Sequence, residues 1–230
     1  MPPAPRPANE AKRLAALRAY DVLDRQADES YQDIVRIAGH ITGMPTVLIS
    51  LIDAERQWFL ARQGFAEPET HRDIAFCAYT ILEEGRTPMV VPDASADPRF
   101  RDNPLVTGDT HIRFYAGAPL ETPDGSRIGT LCALDQEPRV LRPEQLETLQ
   151  ALARQVVRVL ELRRVAGQLR DALEHTRALT GLIPLCASCH RIREDGTGWQ
   201  RLERFLMEHT DASVTHSICP ECSARLYPGL

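Results

Sequence analysis

The stretch that decides the fold is Phe114-Tyr-Ala-Gly-Ala-Pro-Leu120, Pro123-Asp-Gly125 and Arg127-Ile-Gly-Thr-Leu-Cys-Ala-Leu134. The two outer segments are short and largely apolar, as β-strands are. Proline presets φ and glycine accepts positive φ, so Pro-Asp-Gly between the segments favours a tight turn. We therefore predict two strands joined across this turn.

Two further strands are predicted nearer the N-terminus. Thr46–Ile52 is an apolar run of strand-forming residues, and Gln57–Arg62 alternates in polarity. Asp53–Arg56 lies between them and turns the chain, which predicts a hairpin. A short strand over Pro88–Pro92 is also expected.

Helical patterns occupy the segments between these strands. The first runs from Asn9, as N-cap, to Asp21, and the second runs from Glu29 to Ile41 with Gly43 as its C-cap. A third is expected from Phe76 to Glu84. This order of elements predicts an α+β domain with an antiparallel sheet flanked by helices.

A long helix is predicted from Pro143, which suits a first helical turn, to about Thr180. Gly181 can cap its end and Pro184 cannot continue it. Apolar residues recur three or four positions apart along it, first on one face and then on a shifted one: Leu146, Leu149, Ala153, Val156 and Leu160, followed by Leu162, Ala166, Leu169 and Leu173.

Composition bounds the function. The chain has 230 residues with 43% hydrophobic content, enough for one large domain and one small one. A net charge of −5 gives no general attraction to nucleic acid or anionic lipid. It contains no run of about 20 apolar residues and no apolar signal core. We expect a cytoplasmic protein with no membrane or nucleic-acid partner, and a disordered segment over residues 1–8.

Two cysteine pairs near the C-terminus predict a metal site: Cys186-Ala-Ser-Cys189 and Cys219-Pro-Glu-Cys222. Each turn directs two sulfurs to one side, and together they complete the tetrahedral thiolate shell that zinc prefers. The expected cofactor is a structural zinc ion. An iron–sulfur cluster on the same thiolates and a redox disulfide pair are the alternatives. Nearby histidines offer a replacement ligand or a hydrogen bond to a ligand: His190, His209 and His216.

Nine segments of the first 155 residues match motifs of one known family: Glu10–Leu17, Asp21–Asp24, Ser50–Asp53, Gln57–Phe59, Arg72–Cys77, Val91–Ala94, Asp97–Pro104, Ile112–Leu120 and Gly129–Cys132. With these motifs, residues 9–155 resemble a GAF domain, the small-molecule sensory module of signalling proteins. The similarity is to the subgroup commonly joined to histidine kinases and diguanylate cyclases. The resemblance implies a six-stranded sheet with a cavity on one face, roofed by a central helix and loops.

Residues bordering the implied cavity are candidates for ligand contacts: Arg72, Cys77, His111, Arg113 and Tyr115. Cys77 is either a reactive thiol at the start of a helix or a packed core residue, and Cys132 is either a cavity residue or core. The ligand is unknown. The pattern associated with cyclic-nucleotide-binding GAF domains is missing from the sequence.

The resemblance also implies an architecture. The helix over residues 143–180 pairs with its copy in a homodimer, as the last GAF helix often does. Residues 181–230 resemble a small cysteine-rich tail found after receiver, PAS and GAF domains in bacterial signalling proteins. No kinase, cyclase or phosphodiesterase motif follows the GAF region. We therefore expect a non-enzymatic sensor that relays its signal through the helix to a zinc-stapled module and an unidentified partner protein.

Three other functions stay open. The tail itself is the sensor if it holds a labile metal or an iron–sulfur cluster that responds to oxidant. Reactive cysteines in the cavity would instead indicate a GAF-type methionine sulfoxide reductase. Nucleic-acid binding by the tail would rest on four arginines and is disfavoured by the acidic chain: Arg191, Arg193, Arg201 and Arg204.

Overall fold

The structure, a computed structural model, describes residues 2–25, 28–82, 87–177, 184–194, 198–209 and 213–227. The chain divides into two units, Met1–Ala166 and Gly167–Leu230. The first contains a six-stranded antiparallel sheet with the order β3-β2-β1-β6-β5-β4. Its strands are β1 Thr46–Ile52, β2 Arg56–Gln63, β3 Glu69–His71, β4 Met89–Val91, β5 Phe114–Glu121 and β6 Arg127–Asp135.

The two expected hairpins form the middle of this sheet. β5 pairs with β6, β1 pairs with β2, and β1 joins the hairpins by pairing with β6. Where β6 meets β1, a Cβ on Gly129 would lie 2.0 Å from the carbonyl oxygen of Ser50, so this close approach requires glycine. The predicted α+β class with an antiparallel sheet is confirmed.

Strand β3 was not predicted. It has three residues, Glu69–His71, in a polar stretch without alternation, and it pairs only with β2 at the edge of the sheet. Short polar edge strands carry little periodicity, because backbone pairing rather than side-chain burial holds them.

Three helices cover one face of the sheet: α1 Glu10–Ala19, α2 Glu29–Thr42 and the first half of α5 Pro143–Arg177. The Asp28 side chain caps α2 by accepting from the Ser30 amide, and Gly43 ends it with φ of +71°. Buried residues of these helices pack against alternate strand residues: Leu17, Val35, Leu149 and Val156 against Ile49, Ala116, Leu131 and Ala133. Burial of this apolar surface is the main stabilising term of the first unit.

The opposite face of the sheet is covered by short elements. These are a 3-10 turn over Arg72–Ile74, α3 Phe76–Thr80 and α4 Pro104–Thr107. Helix α3 ends four residues before the expected Glu84, and residues 83–86 lie outside the described part of the chain. Aromatic rings fill this layer, with Phe76 stacked on Phe100 at a centroid distance of 4.1 Å.

The N-terminal segment, for which disorder was expected, contacts the domain where it is described. The Tyr79 hydroxyl donates to the carbonyl oxygen of Pro2 at 2.8 Å, and Arg6 pairs with Glu55. Ala4 packs against the aromatic layer.

The second unit continues α5 and adds a β7–β8 hairpin, Ile192–Glu194 with Gly198–Gln200, followed by α6 Leu202–His209 and α7 Pro220–Leu226. The apolar spacing of Leu202, Phe205 and Leu206 predicts a helix from Trp199 to Glu208. Trp199 instead pairs with Arg193 in the hairpin, and α6 begins three residues later. The expected cap at Gly181 and the side chain of His209 lie outside the described residues. Among the described helices, none has the length and apolarity needed to cross a membrane.

Candidate functional site

A small cavity lies between the sheet and the aromatic layer. Its volume is about 20 Å³, close to the space that one water molecule needs. Cavities that bind small molecules usually measure about 300 Å³ or more. The lining residues come from the strands, α3 and the loops: Leu48, Gln57, Phe59, Phe65, Thr70, Phe76, Cys77, Leu105, Ile112, Tyr115, Cys132 and Leu134.

Two thiols lie side by side in the lining of this cavity. Cys77 comes from α3 and Cys132 from β6, and their sulfur atoms are 3.6 Å apart. Both residues are buried. Cys132 reaches this side because β6 alternates, with Leu131 and Ala133 facing the helices on the other side. The sequence predicted no link between the two cysteines, and the fold brings them together.

Tyr115 is the third polar member of the site. Its hydroxyl lies 3.4 Å from the Cys77 sulfur and 2.7 Å from the hydroxyl of Thr80. Its ring stacks near Phe76, with the centroids 5.2 Å apart. Gly117 makes room for it, since a Cβ there would lie 2.1 Å from the tyrosine hydroxyl oxygen.

More hydroxyl groups lie along the strands beside the thiols. Ser50 of β1 pairs with Thr130 of β6, one step along the same face from the pairing of Leu48 with Cys132. Ser50 accepts a 2.7 Å hydrogen bond from the Gln57 amide. The buried Thr130 hydroxyl lies beside both thiols and favours their negatively charged forms. These hydroxyls were not predicted as site residues, although the two-residue alternation of a strand places Thr130 on the same face as Cys132.

The surroundings shift the pKa values of the two thiols in opposite directions. Burial acts to raise the pKa of Cys77, but hydrogen bonds from its neighbours, Cys132 first, overcome burial and lower the pKa. Burial and the adjacent Cys77 raise the pKa of Cys132 well above its ordinary value. Burial and the thiols also raise the pKa of Tyr115. Cys77 is therefore the first of the pair to lose its proton.

Five residues were predicted to border the cavity. Cys77 and Tyr115 line the cavity as the described residues form it, whereas Arg72, His111 and Arg113 do not. Arg72 is buried beneath α1, where it pairs with Glu10 and donates to the carbonyl oxygen of Asp53. Arg113 donates to the carbonyl oxygens of Val106 and Ile112 and contacts the exposed ring of His111. These arginines therefore hold backbone and side chains of the domain itself.

The four C-terminal cysteines form two separate pairs in the described part of the chain, Cys186 with Cys189 and Cys219 with Cys222. Hydrogen bonding from the backbone amide of Cys189 lowers the pKa of Cys186, and that of Cys222 lowers the pKa of Cys219. Within the described residues no group of three or more His, Cys, Asp or Glu side chains is arranged to hold a metal ion. The four-cysteine zinc site therefore stays a prediction, and the chemistry of four thiolates at this spacing still fits zinc.

A six-stranded antiparallel sheet with helices on one face and short elements over a small cavity on the other defines an α+β domain. Residues 26–160 match the family model of the GAF domain. This match spans more than half of the chain, so the chain belongs to the GAF domain family. The family has a signalling and sensory role.

Known proteins are similar to parts of the chain. A cyclic di-GMP phosphodiesterase of Pseudomonas aeruginosa is 46% identical over 135 residues, which are 59% of this chain and 23% of that protein. The chain thus covers less than a quarter of this relative's length.

Among solved structures, the GAF domain of an Acinetobacter phosphoenolpyruvate-protein phosphotransferase is similar at 16% identity, with 68% of this chain and 98% of that chain covered and a TM-score of 0.49. A type II free methionine-R-sulfoxide reductase of Thermoplasma acidophilum is similar at 12% identity, with coverage of 57% and 90% and a TM-score of 0.48.

Proposed function

We propose that this protein is a non-enzymatic, cytoplasmic, homodimeric sensor. A change in the GAF cavity, caused by a small molecule or by redox chemistry, is relayed through α5 to a zinc-stapled C-terminal module that docks a signalling partner. The observation that carries the proposal is the division of α5 into a buried half and an exposed apolar half.

The first half of α5 is part of the GAF core. Leu149, Ala153, Val156 and Leu160 are buried against the sheet. These residues belong to the same buried cluster as Leu131 and Ala133 of β6, which lie on the opposite face of the sheet from the Cys132 thiol. A displacement of β6 on the cavity side therefore acts on the packing of α5.

The second half of α5 presents an apolar stripe to solvent. Leu162 and Leu169 are 71% and 60% exposed, and Val165 and Leu173 are also exposed. The four residues are spaced three or four positions apart and share a helix face. A second copy of the same helix is the proposed occupant, because heptad-like spacing of leucine and valine suits knobs-into-holes packing of two identical helices. The dimer would hold the two tails side by side.

The proposed zinc ion stabilises the tail. The second unit has few buried apolar residues among those described, with Ile192 the most buried of them. Units of this size usually need a metal or disulfides in addition to their core. Four thiolates would supply both the ligands and the missing cross-links.

Catalysis is not part of the proposal. The relative named as a cyclic di-GMP phosphodiesterase matches this chain over 23% of its own length, so its activity is not carried over to this chain. Incubation of the purified chain with cyclic di-GMP checks this directly. Hydrolysis above the rate of a blank preparation would contradict a non-enzymatic function.

Light scattering coupled to size-exclusion chromatography tests the dimer. We expect the wild-type chain to elute with the mass of two copies and the Leu162→Glu/Leu169→Glu variant with the mass of one. Val140→Glu is the matched control, because Val140 is 87% exposed and precedes the helix; it should leave the mass unchanged. A wild-type monomer over the micromolar range, or a double variant that remains dimeric, would refute dimerisation through α5.

A further inference from the structure

We propose that Cys77 and Cys132 form a dithiol that hydrogen peroxide oxidises to a disulfide. This bond is the input that the GAF domain detects. The inference deepens the proposed sensor function and rests on it for the consequence of oxidation, whereas the chemistry of the pair stands on the geometry of the cavity.

The first argument is the distance. The two sulfurs are already in contact at 3.6 Å, and a disulfide needs a separation of about 2.05 Å. The difference, about 1.5 Å, is within reach of small side-chain and helix shifts. The residues are 55 positions apart in sequence and belong to different layers of the fold. The bond would therefore fasten α3 to the sheet.

The second argument is the polarity of the surroundings. An inert buried thiol behaves as a small apolar group and is satisfied by apolar neighbours. Here the Tyr115 hydroxyl contacts the Cys77 sulfur, and the buried hydroxyl of Thr130 lies beside the same sulfur. Hydroxyl donors around a sulfur favour its negatively charged form. The Cys77 thiolate would therefore accept hydrogen bonds from these groups.

The third argument is the size of the cavity. About 20 Å³ beside both thiols suits a molecule of about the size of water. Most metabolites are excluded without rearrangement of the aromatic layer. Hydrogen peroxide, with only two oxygen atoms, is a two-electron oxidant of nearly this size.

The chemistry balances in two steps. The Cys77 thiolate attacks one peroxide oxygen, the O–O bond breaks, and Cys77 becomes a sulfenic acid while the other oxygen leaves as hydroxide and takes a proton to form water. Cys132 then attacks the Cys77 sulfur, the S–O bond breaks, and a second water leaves. Two thiols lose two hydrogen atoms in total, and one peroxide is reduced to two water molecules.

The bond would perturb the two neighbouring layers. Tyr115 loses a thiol contact, and α3 and β6 are drawn together. Because Leu131 and Ala133 flank Cys132 and belong to the buried cluster that includes the first half of α5, a shift of β6 would be transmitted through this cluster to the helix proposed to dimerise.

Differential alkylation of the full-length chain tests the proposal. The reduced protein is treated with stoichiometric hydrogen peroxide, quenched in acid, unfolded, alkylated, digested and measured by mass spectrometry. We expect a cross-linked peptide containing Cys77 and Cys132, lighter by two hydrogens than the two reduced peptides and absent after reduction. The C-terminal cysteines lie in other peptides and report separately that the oxidant was active.

The decisive contrary result comes from the same sample. If Cys77 and Cys132 remain fully alkylatable when the C-terminal cysteines have been oxidised, the dithiol proposal is wrong. In Cys132→Ser, we expect Cys77 to accumulate as a dimedone-reactive sulfenic acid that the wild type shows only in trace. Failure of this chemistry with a dimeric wild type would overturn the redox input alone, whereas a monomeric chain that forms the disulfide would overturn the relay alone.

Discussion

Replacing Glu10 by glutamine is expected to destabilise the GAF domain markedly, because Glu10 joins two buried arginines. Arg13 donates to both carboxylate oxygens at 2.7 and 2.8 Å, and Arg72 donates to one of them. The side chains of Arg13 and Arg72 are buried, and that of Glu10 is 15% exposed. Both guanidinium groups also donate to backbone carbonyls at the end of β1, so the cluster fixes α1 to the sheet.

The size of the effect follows from the carboxylate. Partial burial acts to raise the pKa of Glu10, and the hydrogen bonds from Arg13 and Arg72 overcome it, lowering the pKa from 4.5 to about 2. That difference corresponds to about 3 kcal/mol of stability at neutral pH. A comparable loss, about 3 kcal/mol, is typical when one partner of a buried ion pair is removed.

The pH dependence has a definite sign. A carboxylate whose pKa is lower in the folded state stabilises the protein above its unfolded pKa, and this stability is lost as the pH falls towards the folded pKa. The difference between wild type and Glu10→Gln should therefore be constant above about pH 5.5 and smaller by about 1 kcal/mol at pH 4.

Urea denaturation measures this difference. Trp58 in β2 reports on the GAF domain once Trp199, the other tryptophan, is replaced by phenylalanine. Glu55→Gln is the control, since Glu55 pairs with Arg6 at an exposed position and its loss should change stability little. The reasoning is refuted if Glu10→Gln costs no more than the control, or if its cost is the same at pH 7 and pH 4.

Four other substitutions are expected to have distinct results. Gly117→Ala should lower the unfolding free energy by about 2 kcal/mol, because the new methyl group displaces Tyr115. Gly167→Ala has open space around it and should stabilise α5 by up to about 1 kcal/mol. Equal effects of the two substitutions in thermal melts would contradict the crowding at Gly117. Leu149→Ala should lower the free energy of unfolding in urea titrations by about 3 kcal/mol because of the cavity that it leaves. A loss below about 1 kcal/mol would contradict the burial of this part of α5 in the core. Elemental analysis should find about one zinc per chain in the wild type and much less in Cys186→Ser; unchanged metal in the variant would exclude the thiolate as a ligand.

The central strands and the long helix were predictable because their burial leaves a regular pattern. β5 and β6 are apolar runs around a Pro-Asp-Gly turn, and Gly43 has the positive φ that a C-cap requires. β3 leaves no such pattern, because a three-residue edge strand buries too little side chain to select residues. Trp199 was predicted to begin a helix because it directly precedes residues with helical apolar spacing. An aromatic residue at this position suits the end of a strand equally well, and the structure places it in β8.

The site was less predictable than the sheet. A contact between Cys77 and Cys132 depends on how α3 is laid over β6, which is set by loops that have no periodicity. Arg72 was a candidate for ligand binding because its charge is visible in the sequence, whereas its partner Glu10 lies 62 residues away. Local patterns fix elements, and only tertiary packing decides which polar side chains meet.

Hydrogen–deuterium exchange of the full-length chain tests the relay through α5 most directly. Amides of α5 over residues 161–177 are compared between the reduced wild type, the hydrogen peroxide-treated wild type and Gly117→Ala, which perturbs the same cavity without oxidant. The account predicts that exchange in this part of α5 changes in both perturbed forms, along with α3, β5 and β6. If exchange changes only in α3, β5 and β6 and stays constant over residues 161–177, the GAF cavity is not coupled to the helix.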